Sequence, residues 1–204
     1  MMLVERFEIP NFTSNTYLIR KASQKDAFLI DIGEYDLASS AIKDYNVMGL
    51  LLTHAHYDHI YYVRKLKEDF PNLTVYASGD TLENLKDPKL NLSFYHDDPV
   101  SFDASAFSKA LVGSSGLFEI AGIEVHWFAS PGHHTGCISY RIGSYFFSGD
   151  SFIPGYPIVT KLKGGNKEDA FNSLSLIKEE FQKCEFLAPG HGPIYQSGDF
   201  IFPN

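Results

Sequence analysis

The chain has 204 residues, and its 25 Asp and Glu outnumber its 17 Lys and Arg, which gives a net charge of -8. Hydrophobic residues make up 44% of the sequence and charged residues 21%, a balance typical of globular rather than disordered proteins. The length predicts a single domain over residues 1–204. The acidic charge argues against a nucleic-acid binder, because phosphate contacts need clustered Lys and Arg.

The sequence also predicts a cytoplasmic protein that does not bind membranes. Residues 1–10 carry charged side chains and lack the long apolar run of a signal peptide. We find no stretch that approaches the roughly 18 uninterrupted apolar residues of a membrane span. Cys137 and Cys184 cannot form a disulfide framework, and each is expected to be a small core residue.

The first half of the chain alternates strand-like apolar runs with segments of helical spacing. Continuous apolar runs are typical of strands that are covered on both faces. Residues 80–116 contain turn clusters and predict loops with short helices. The elements predicted before them are strands at 16–19 and 27–30, a helix at 37–45, a strand at 49–52, a helix at 60–70 ended by Pro71, and a strand at 75–77.

The second half is again rich in predicted strands. Gly122 and Gly143 supply turns between them. The predicted elements are strands at 117–120, 123–129, 137–142 and 145–148, a helix at 168–182 and a strand at 186–188. Two β-rich halves with helices outside predict an α/β layered arrangement.

The most informative motif, His54-Ala55-His56-Tyr57-Asp58-His59, follows the apolar run at 49–52. His54 and His56 are two residues apart, so in extended backbone both side chains point to the same side and can reach one metal ion. Asp58 and His59 fall where the chain turns into a helix, from which they can address a second position. The motif therefore predicts a metal site at the end of this strand.

Three later segments also place a metal-ligating residue type at the end of a predicted strand. His133 follows Pro-Gly, Asp150 follows Ser-Gly, and His191 lies between Pro-Gly and Gly-Pro. Glycine and proline at these points allow sharp, fixed turns close to a metal. The four segments together predict one shared site.

These seven residues are enough for two metal ions. His54, His56 and His133 could hold one ion, Asp58, His59 and His191 a second, and Asp150 could bridge them. This arrangement leaves room for a water molecule, as in catalytic rather than structural sites. Two divalent ions with two aspartates make the site locally positive, which favours a metal-bound hydroxide and an oxyanion-like transition state. The expected substrate is a small, anionic molecule.

These motifs resemble the metallo-β-lactamase superfamily, and most closely its glyoxalase II-like hydrolases. Residues 15–19 and 29–33 also look like the opening strands of that family. The resemblance implies an αββα sandwich and hydrolysis by a hydroxide that bridges two metals. It also implies that Asp58, besides binding metal, moves protons during turnover. On the family pattern the metal ligands are His54, His56, Asp58, His59, His133, Asp150 and His191.

The chain departs from glyoxalase II in two places. It ends about a dozen residues after His191, so we expect a short form without the C-terminal helical domain that supplies much of the glutathione-binding surface. The segment at 151–156 resembles the substrate loop of those enzymes only loosely. Tyr156 and Lys161, followed by Lys163, are nevertheless the candidate substrate-binding residues. A solvated loop is the competing interpretation for the two lysines.

The remaining histidines are assigned other roles. The family pattern places the ligand directly after Pro-Gly, so His133 is the predicted ligand and His134 is expected at the mouth of the site or on the surface. His96 and His126 are expected to be structural or surface residues.

The leading hypothesis is therefore a hydroxyacylglutathione hydrolase-type enzyme that cleaves a small thioester or ester. Zinc is the expected metal, and iron and manganese also suit mixed His and carboxylate sites. Alternatives that use the same site are a lactonase, a phosphodiesterase, or a persulfide dioxygenase with a single iron. A non-enzymatic metal-binding domain is disfavoured because all seven positions are intact. A homodimer is compatible with the sequence.

Overall fold

Two six-stranded β-sheets form the centre of the protein in a computed structural model, which describes residues 1–8, 10 and 12–203. The strands of the first sheet are β1 (Met2–Glu8), β2 (Asn15–Lys21), β3 (Asp26–Ile30), β4 (Asn46–Leu51), β5 (Thr74–Ser78) and β6 (Ser108–Leu111). They follow chain order in the sheet, with adjacent strands antiparallel from β1 to β3 and parallel from β3 to β6.

The second sheet comes from the second half of the chain. Its strands are β7 (Ser115–Ile120), β8 (Ile123–Ala129), β9 (Ile138–Ile142), β10 (Tyr145–Gly149), β11 (Phe186–Pro189) and β12 (Tyr195–Gln196). They lie in the order β12-β11-β10-β9-β8-β7, and adjacent strands are antiparallel except for β10 and β11, which are parallel.

Helices cover the outer face of each sheet. Single turns of 3-10 helix at Ser93–Tyr95 and Ser105–Phe107 interrupt the long connection to β6. The α-helices are α1 (Asp36–Ile42), α2 (Tyr57–Ile60), α3 (Val63–Asp69), α4 (Gly79–Asn84) and α5 (Lys167–Phe181). In the described part of the chain, none of these helices is long and apolar enough to cross a membrane.

Alternate residues of the central strands pack into different cores, which explains their continuous apolar runs. In β3, Phe28 and Ile30 face the core between the two sheets, whereas Leu29 faces the core beneath α1, α2 and α3. A third core lies between the second sheet and α5, where Ile177 and Phe181 are buried. The layers are therefore helix, sheet, sheet and helix, so the predicted αββα sandwich is confirmed.

The predicted helix at 60–70 corresponds to α3, which begins at Val63, and the separate short helix α2 precedes it. His59 O accepts a hydrogen bond from Ile32 N at 2.8 Å, and Tyr62 N donates to Ile32 O at 3.0 Å. These bonds to the loop after β3 replace helical hydrogen bonds, so the helix is interrupted between α2 and α3. The interruption lies directly beside His59 and ties this histidine to the neighbouring strand end.

Strands β1, β6 and β12 were not predicted. Each is an edge strand, and β6 lies inside the segment that the sequence predicts as loop. The sequence of β6, Ser-Lys-Ala-Leu, has no apolar alternation because neither face of the strand is fully buried. Hydrogen bonds to β5, rather than side-chain burial, define it.

Candidate metal centre

The seven predicted ligands lie at one edge of the sandwich, in the segments that follow four strands. Residues 54–59 follow β4, His133 follows β8, Asp150 follows β10 and His191 follows β11. Because β10 and β11 are parallel neighbours, Asp150 and His191 emerge side by side. The strand ends thus bring together residues that are distant in sequence, as in other sheets with sites at strand ends. We call these seven residues the His/Asp cluster.

The cluster contains the two triads that the sequence predicts, and a third triad connects them. In each triad the potential ligand atoms all lie within 4.8 Å of one another. A cation can be held by three such atoms once small side-chain adjustments bring them to coordination distance. The triads are His54, His56 and His133; Asp58, His59 and His191; and His54, His59 and Asp150.

Asp150 lies between the two predicted triads. Its Oδ1 is 3.5 Å from His59 Nε2, and its Oδ2 is 3.6 Å from His133 Nε2 and 3.4 Å from His191 Nε2. Asp150 therefore reaches ligand candidates of both triads with its two oxygens. A carboxylate in this position fits the bridging role that the sequence predicts.

Several atoms of the cluster are buried without a hydrogen-bond partner among the described residues, namely Nε2 of His54, His56 and His59 and Oδ1 of Asp150. Burying an unpaired polar atom is costly, so such atoms rarely occur in a folded protein without a reason. Nitrogen and carboxylate donors in this number and mixture suit divalent transition metals. The residues present therefore fit metal ions.

Glycine backbone conformations place two of the predicted ligands. Gly132, directly before His133, has φ +136°, and a Cβ there would overlap the backbone of Ala170 in α5. Gly149, directly before Asp150, has φ +51° and packs against Thr53. Residues that carry a side chain rarely adopt these backbone conformations, so the predicted need for glycine beside the predicted ligands is confirmed at both positions.

In four histidines of the cluster, Nδ1 has a hydrogen-bond partner that orients the ring. Nδ1 of His59 lies 2.9 Å from Asp31 Oδ2, and Nδ1 of His54 lies 3.0 Å from Thr53 Oγ1. The backbone carbonyl of Val159 accepts from His133 Nδ1 at 2.9 Å, whereas Thr13 Oγ1 lies 3.2 Å from His191 Nδ1.

The chain at β1 and β2 holds the loop that carries His191. Asn15 Nδ2 donates to Pro189 O at 2.9 Å and to Gly192 O at 2.8 Å, and Arg6 donates to Gly192 O at 2.8 Å. The Tyr17 hydroxyl also donates to Pro189 O at 2.7 Å. These bonds fix the backbone on both sides of His191.

The first triad is built from neutral imidazoles. Burial lowers the pKa of His54 well below its usual value, with further lowering from His59 and His56. Burial, together with His133 and His134, lowers the pKa of His56 to about 3, and burial also lowers the pKa of His133. Neutral imidazole is the form that binds metal, so this triad needs no deprotonation at neutral pH.

The second triad has the opposite charge pattern. Burial opposes protonation of His59, but Asp58, Asp150 and Asp31 outweigh it and raise its pKa to about 9. Burial likewise opposes protonation of His191, but Asp150 and Asp58 raise its pKa to about 10. In turn these histidines outweigh the effect of burial on Asp58 and Asp150 and hold both carboxyl pKa values below their usual range. In the metal-free protein, the protons on His59 and His191 thus balance the negative charges of Asp58 and Asp150, a role that bound metal ions would take over.

A cavity of about 560 Å³ opens onto the cluster at His133, Asp150 and His191. Tyr156 lines it and is 71% exposed, which agrees with a place at the mouth. Lys161 and Lys163 are exposed on the adjoining loop, outside the lining residues. The other lining residues are Glu8, Thr13, Ile153, Pro157, Ile158, Val159 and Gly192.

The prediction that His134 lies at the mouth or on the surface is wrong. His134 is only 3% exposed, its Nδ1 accepts a hydrogen bond from Gly136 N, and its Nε2 lies 3.1 Å from Asn84 Nδ2. Each ring nitrogen thus has a polar neighbour inside the protein, which favours burial of this ring. His126 is partly exposed and bonds to Glu124, and Cys137 is buried, as expected.

Sequence reasoning missed three contributors to the site: Asp31, Thr53 and the backbone carbonyl of Val159. Asp31 directly follows the apolar run of β3, so the strand-end argument could have identified it. Thr53 immediately precedes the histidine motif and could have been considered with it. The carbonyl of Val159 had no signal, because a backbone acceptor leaves no mark in the sequence.

Comparison with known proteins gives consistent results. The family model for the "Metallo-beta-lactamase superfamily" matches residues 9–191. A hydroxyacylglutathione hydrolase of Klebsiella pneumoniae is 28% identical over 181 residues, 86% of this chain. The crystal structure of the BLEG-1 B3 metallo-β-lactamase is 25% identical, with a TM-score of 0.84 and coverage of 97% of this chain and 95% of that one. TTHA1623 in a di-iron-bound form is also 25% identical, with a TM-score of 0.75 and 96% coverage of both chains.

The match to the curated relatives is partial in length. The aligned part is 62% of the Klebsiella protein and 51% of a hydroxyacylglutathione hydrolase of Salmonella typhi. The chain therefore spans between half and two thirds of these relatives. All seven residues of the His/Asp cluster lie within the range matched by the family model or at its last residue.

Proposed function

Because the chain belongs to the metallo-β-lactamase superfamily of metal-dependent hydrolases, we propose that it hydrolyses a small thioester or ester with two divalent ions held by the His/Asp cluster. The observation that carries this proposal is the position of Asp150, which reaches ligand candidates of both triads. The first triad would hold one ion and the second triad the other. The curated relatives named hydroxyacylglutathione hydrolase support a thioester as the substrate.

Two ions bound there would lower the pKa of a water molecule towards 7 and stabilise negative charge on a carbonyl oxygen. The chain's own contribution is to position the donors and to move protons. Asp58 Oδ2 lies 3.3 Å from His191 Nε2 and 3.5 Å from His59 Nε2. As a carboxylate beside both histidines, Asp58 can accept a proton from the attacking water and pass it to the leaving group.

We propose zinc as the metal, with iron and manganese as the competing ions. Five imidazoles and two carboxylates suit all three ions. The TTHA1623 structure holds two irons and makes iron a specific competitor. Metal analysis of protein purified without added metal distinguishes them.

The anionic character of the substrate remains a prediction from the metal charges alone. Within the described residues, neither Lys nor Arg lines the cavity, and Glu8 adds a negative charge. A negatively charged substrate would therefore be attracted by the ions rather than by the chain.

The test is a substrate panel with the metal-loaded protein: S-lactoylglutathione, p-nitrophenyl acetate, an acyl-homoserine lactone, bis-p-nitrophenyl phosphate and glutathione persulfide. We expect hydrolysis of the thioester or ester, with loss of most activity in His56→Ala and Asp150→Ala. His126→Ala, which changes a histidine on β8 outside the cluster, is the matched control. Metal content below one ion per chain, or activity unaffected by both cluster substitutions, would overturn the proposal. One iron per chain with persulfide turnover would replace it by the dioxygenase.

A further inference from the structure

The cavity wall beside His133 is apolar and belongs to the chain that follows Asp150. Ile153, Pro157, Ile158 and Val159 line it, together with the ring of Tyr156. Apolar side chains that face an open cavity favour an occupant that also has apolar surface, because contact removes both surfaces from water. The group beyond the reacting carbonyl should therefore be apolar where it meets this wall.

The charges around the cavity lead to the same conclusion. Outside the His/Asp cluster, the charged residue among the described lining residues is Glu8. Arg6 is close, but it donates to Glu8 at 2.7 Å, to Asn15 Oδ1 at 2.9 Å and to Gly192 O at 2.8 Å. Its guanidinium is thus engaged with the protein. Among the described lining residues, a carboxylate on the leaving group would therefore meet neither a lysine nor an arginine.

The apolar wall is fixed to the site at both ends. At its start, Ser148 Oγ donates to Phe152 O at 2.6 Å, and the buried Phe152 ring stacks on Phe202 with 4.6 Å between centroids. At its end, the carbonyl of Val159 is bonded to His133 at 2.9 Å. The wall is therefore a built part of the candidate site, held in register with a metal ligand.

Apolar surface continues on the other side of the same loop. A groove of about 450 Å³ shares Tyr156, Pro157 and Ile158 with the cavity and extends to Phe171 and Leu174 of α5. A chain too long for the cavity can cross the loop and keep apolar contact there. The two concavities together extend the apolar surface beyond the reacting centre.

Given the proposed function, on which this inference rests, we propose that the substrate is an ester or thioester with an uncharged, apolar acyl group and an uncharged leaving group, in place of the anionic substrate that the metal charges alone predict. Glutathione thioesters, which carry two carboxylates, are then poor substrates of this chain. Each additional methylene buried against the wall should raise kcat/KM by about fourfold, the factor expected from its transfer out of water. The gain should stop when the acyl chain extends past the groove.

The test compares substrates that differ in one property at a time. Acetyl, butyryl and hexanoyl thioesters of N-acetylcysteamine vary the acyl length, and S-butyrylglutathione keeps the butyryl group while adding the charged leaving group. We expect kcat/KM to rise from the acetyl to the hexanoyl thioester. For the butyryl group, we expect kcat/KM to be at least about tenfold higher with the N-acetylcysteamine thioester than with S-butyrylglutathione. A flat series, or equal or faster turnover of the glutathione thioester, would overturn the inference and leave the hydrolase proposal standing.

Substitutions in the wall test its role directly. Val159→Lys adds a cation to the wall while keeping the carbonyl that binds His133, and the Val159 side chain is 50% exposed. We expect it to lower kcat/KM for the hexanoyl thioester and to raise it for S-butyrylglutathione. Val112→Lys, at an 83% exposed position between β6 and β7, is the matched control and should leave both values unchanged. Tyr156→Lys repeats the test at a more exposed position if Val159→Lys does not fold.

Binding decides the inference if the protein hydrolyses none of these compounds. That result would overturn the proposed function, but not the description of the wall. Calorimetric titration with hexanamide and with S-methylglutathione then compares an apolar uncharged ligand with a charged one that carries two carboxylates. Tighter binding of hexanamide, weakened in Val159→Lys, supports the apolar site. Tighter binding of S-methylglutathione to the unsubstituted protein would contradict it.

Discussion

Asp31 Oδ2 lies 2.9 Å from Nδ1 of His59, and both side chains are buried. The same carboxylate accepts hydrogen bonds from Thr53 N at 2.8 Å and from Thr53 Oγ1 at 2.7 Å. Thr53 Oγ1 in turn lies 3.0 Å from His54 Nδ1. Asp31 therefore orients His59 of the second triad directly and His54 of the first triad through Thr53.

This relationship predicts that Asp31 controls metal affinity without binding metal itself. In Asp31→Asn the side chain keeps its size but loses the charge that orients His59 and makes its ring a stronger ligand. We expect metal affinity to fall by about 10- to 100-fold, the usual effect of losing such a partner. Chelator competition measures the affinity, with Asp44→Asn at an exposed position as control. Unchanged affinity in Asp31→Asn would show that the bond has no such role.

The close approach of Gly190 to Asp150 predicts a second route to metal loss. A Cβ at Gly190 would overlap Oδ1 of Asp150 and would lie 3.0 Å from Cε1 of His59. Gly190→Ala should therefore displace the proposed bridging carboxylate and reduce the metal content, while circular dichroism stays the same. Gly79→Ala, where a Cβ meets nothing within 4 Å, is the matched control. Full metal content in Gly190→Ala would contradict the tight placement of Asp150.

The charges of the second triad predict how the stability of the metal-free protein depends on pH. The pKa values of His59 and His191, raised to about 9 and about 10, stabilise the fold fully below the ordinary histidine pKa of about 6.5. This contribution is lost as the pH rises through 9 to 10. The lowered pKa values of Asp58 and Asp150 stabilise the fold above about pH 4, and that contribution is lost in acid.

Chelator-treated protein should accordingly have a higher Tm at pH 6 than at pH 10, as measured by calorimetry. His191→Gln removes one of the two raised groups and should reduce this difference. An equal Tm at both pH values, or a slope that His191→Gln leaves unchanged, would show that these pairs do not form in the metal-free state.

The two cysteines are predicted to be unreactive in the folded protein. Burial raises the pKa of Cys137 to about 12 and that of Cys184 to about 11, whereas an exposed thiol has a pKa of about 8.5. Very little thiolate is then present at pH 8. Titration with a disulfide reagent at this pH should detect both thiols only after denaturation. Rapid reaction of a thiol in the native protein would contradict this prediction.

The layered fold could be predicted because its central strands are apolar on both faces. The runs at 27–30 and 49–52 fall within β3 and near the end of β4, and helix α5 begins and ends within one residue of its prediction. The edge strands β1, β6 and β12 could not be predicted, because hydrogen bonds to a neighbour define them rather than burial. The interruption between α2 and α3 depends on Ile32, which is distant in sequence.

The grouping of the site residues could also be predicted, because the donor residues follow strand ends. The structure brings together the same two triads that the sequence indicates. The hydrogen-bond partners around these residues could not be predicted from the sequence. The burial of His134 depends on Asn84 and Gly136, and the orientation of His133 depends on the carbonyl of Val159. These partners come from the tertiary fold and carry no local signature.

Metal stoichiometry tests the central claim, the dinuclear centre, most directly. Elemental analysis of the metal-loaded protein should find two ions per chain, and His126→Ala should also retain two. His56→Ala in the first triad and His191→Ala in the second should each retain about one, because the other triad stays intact. One ion per chain in the unsubstituted protein, or two ions in both cluster variants, would contradict the account.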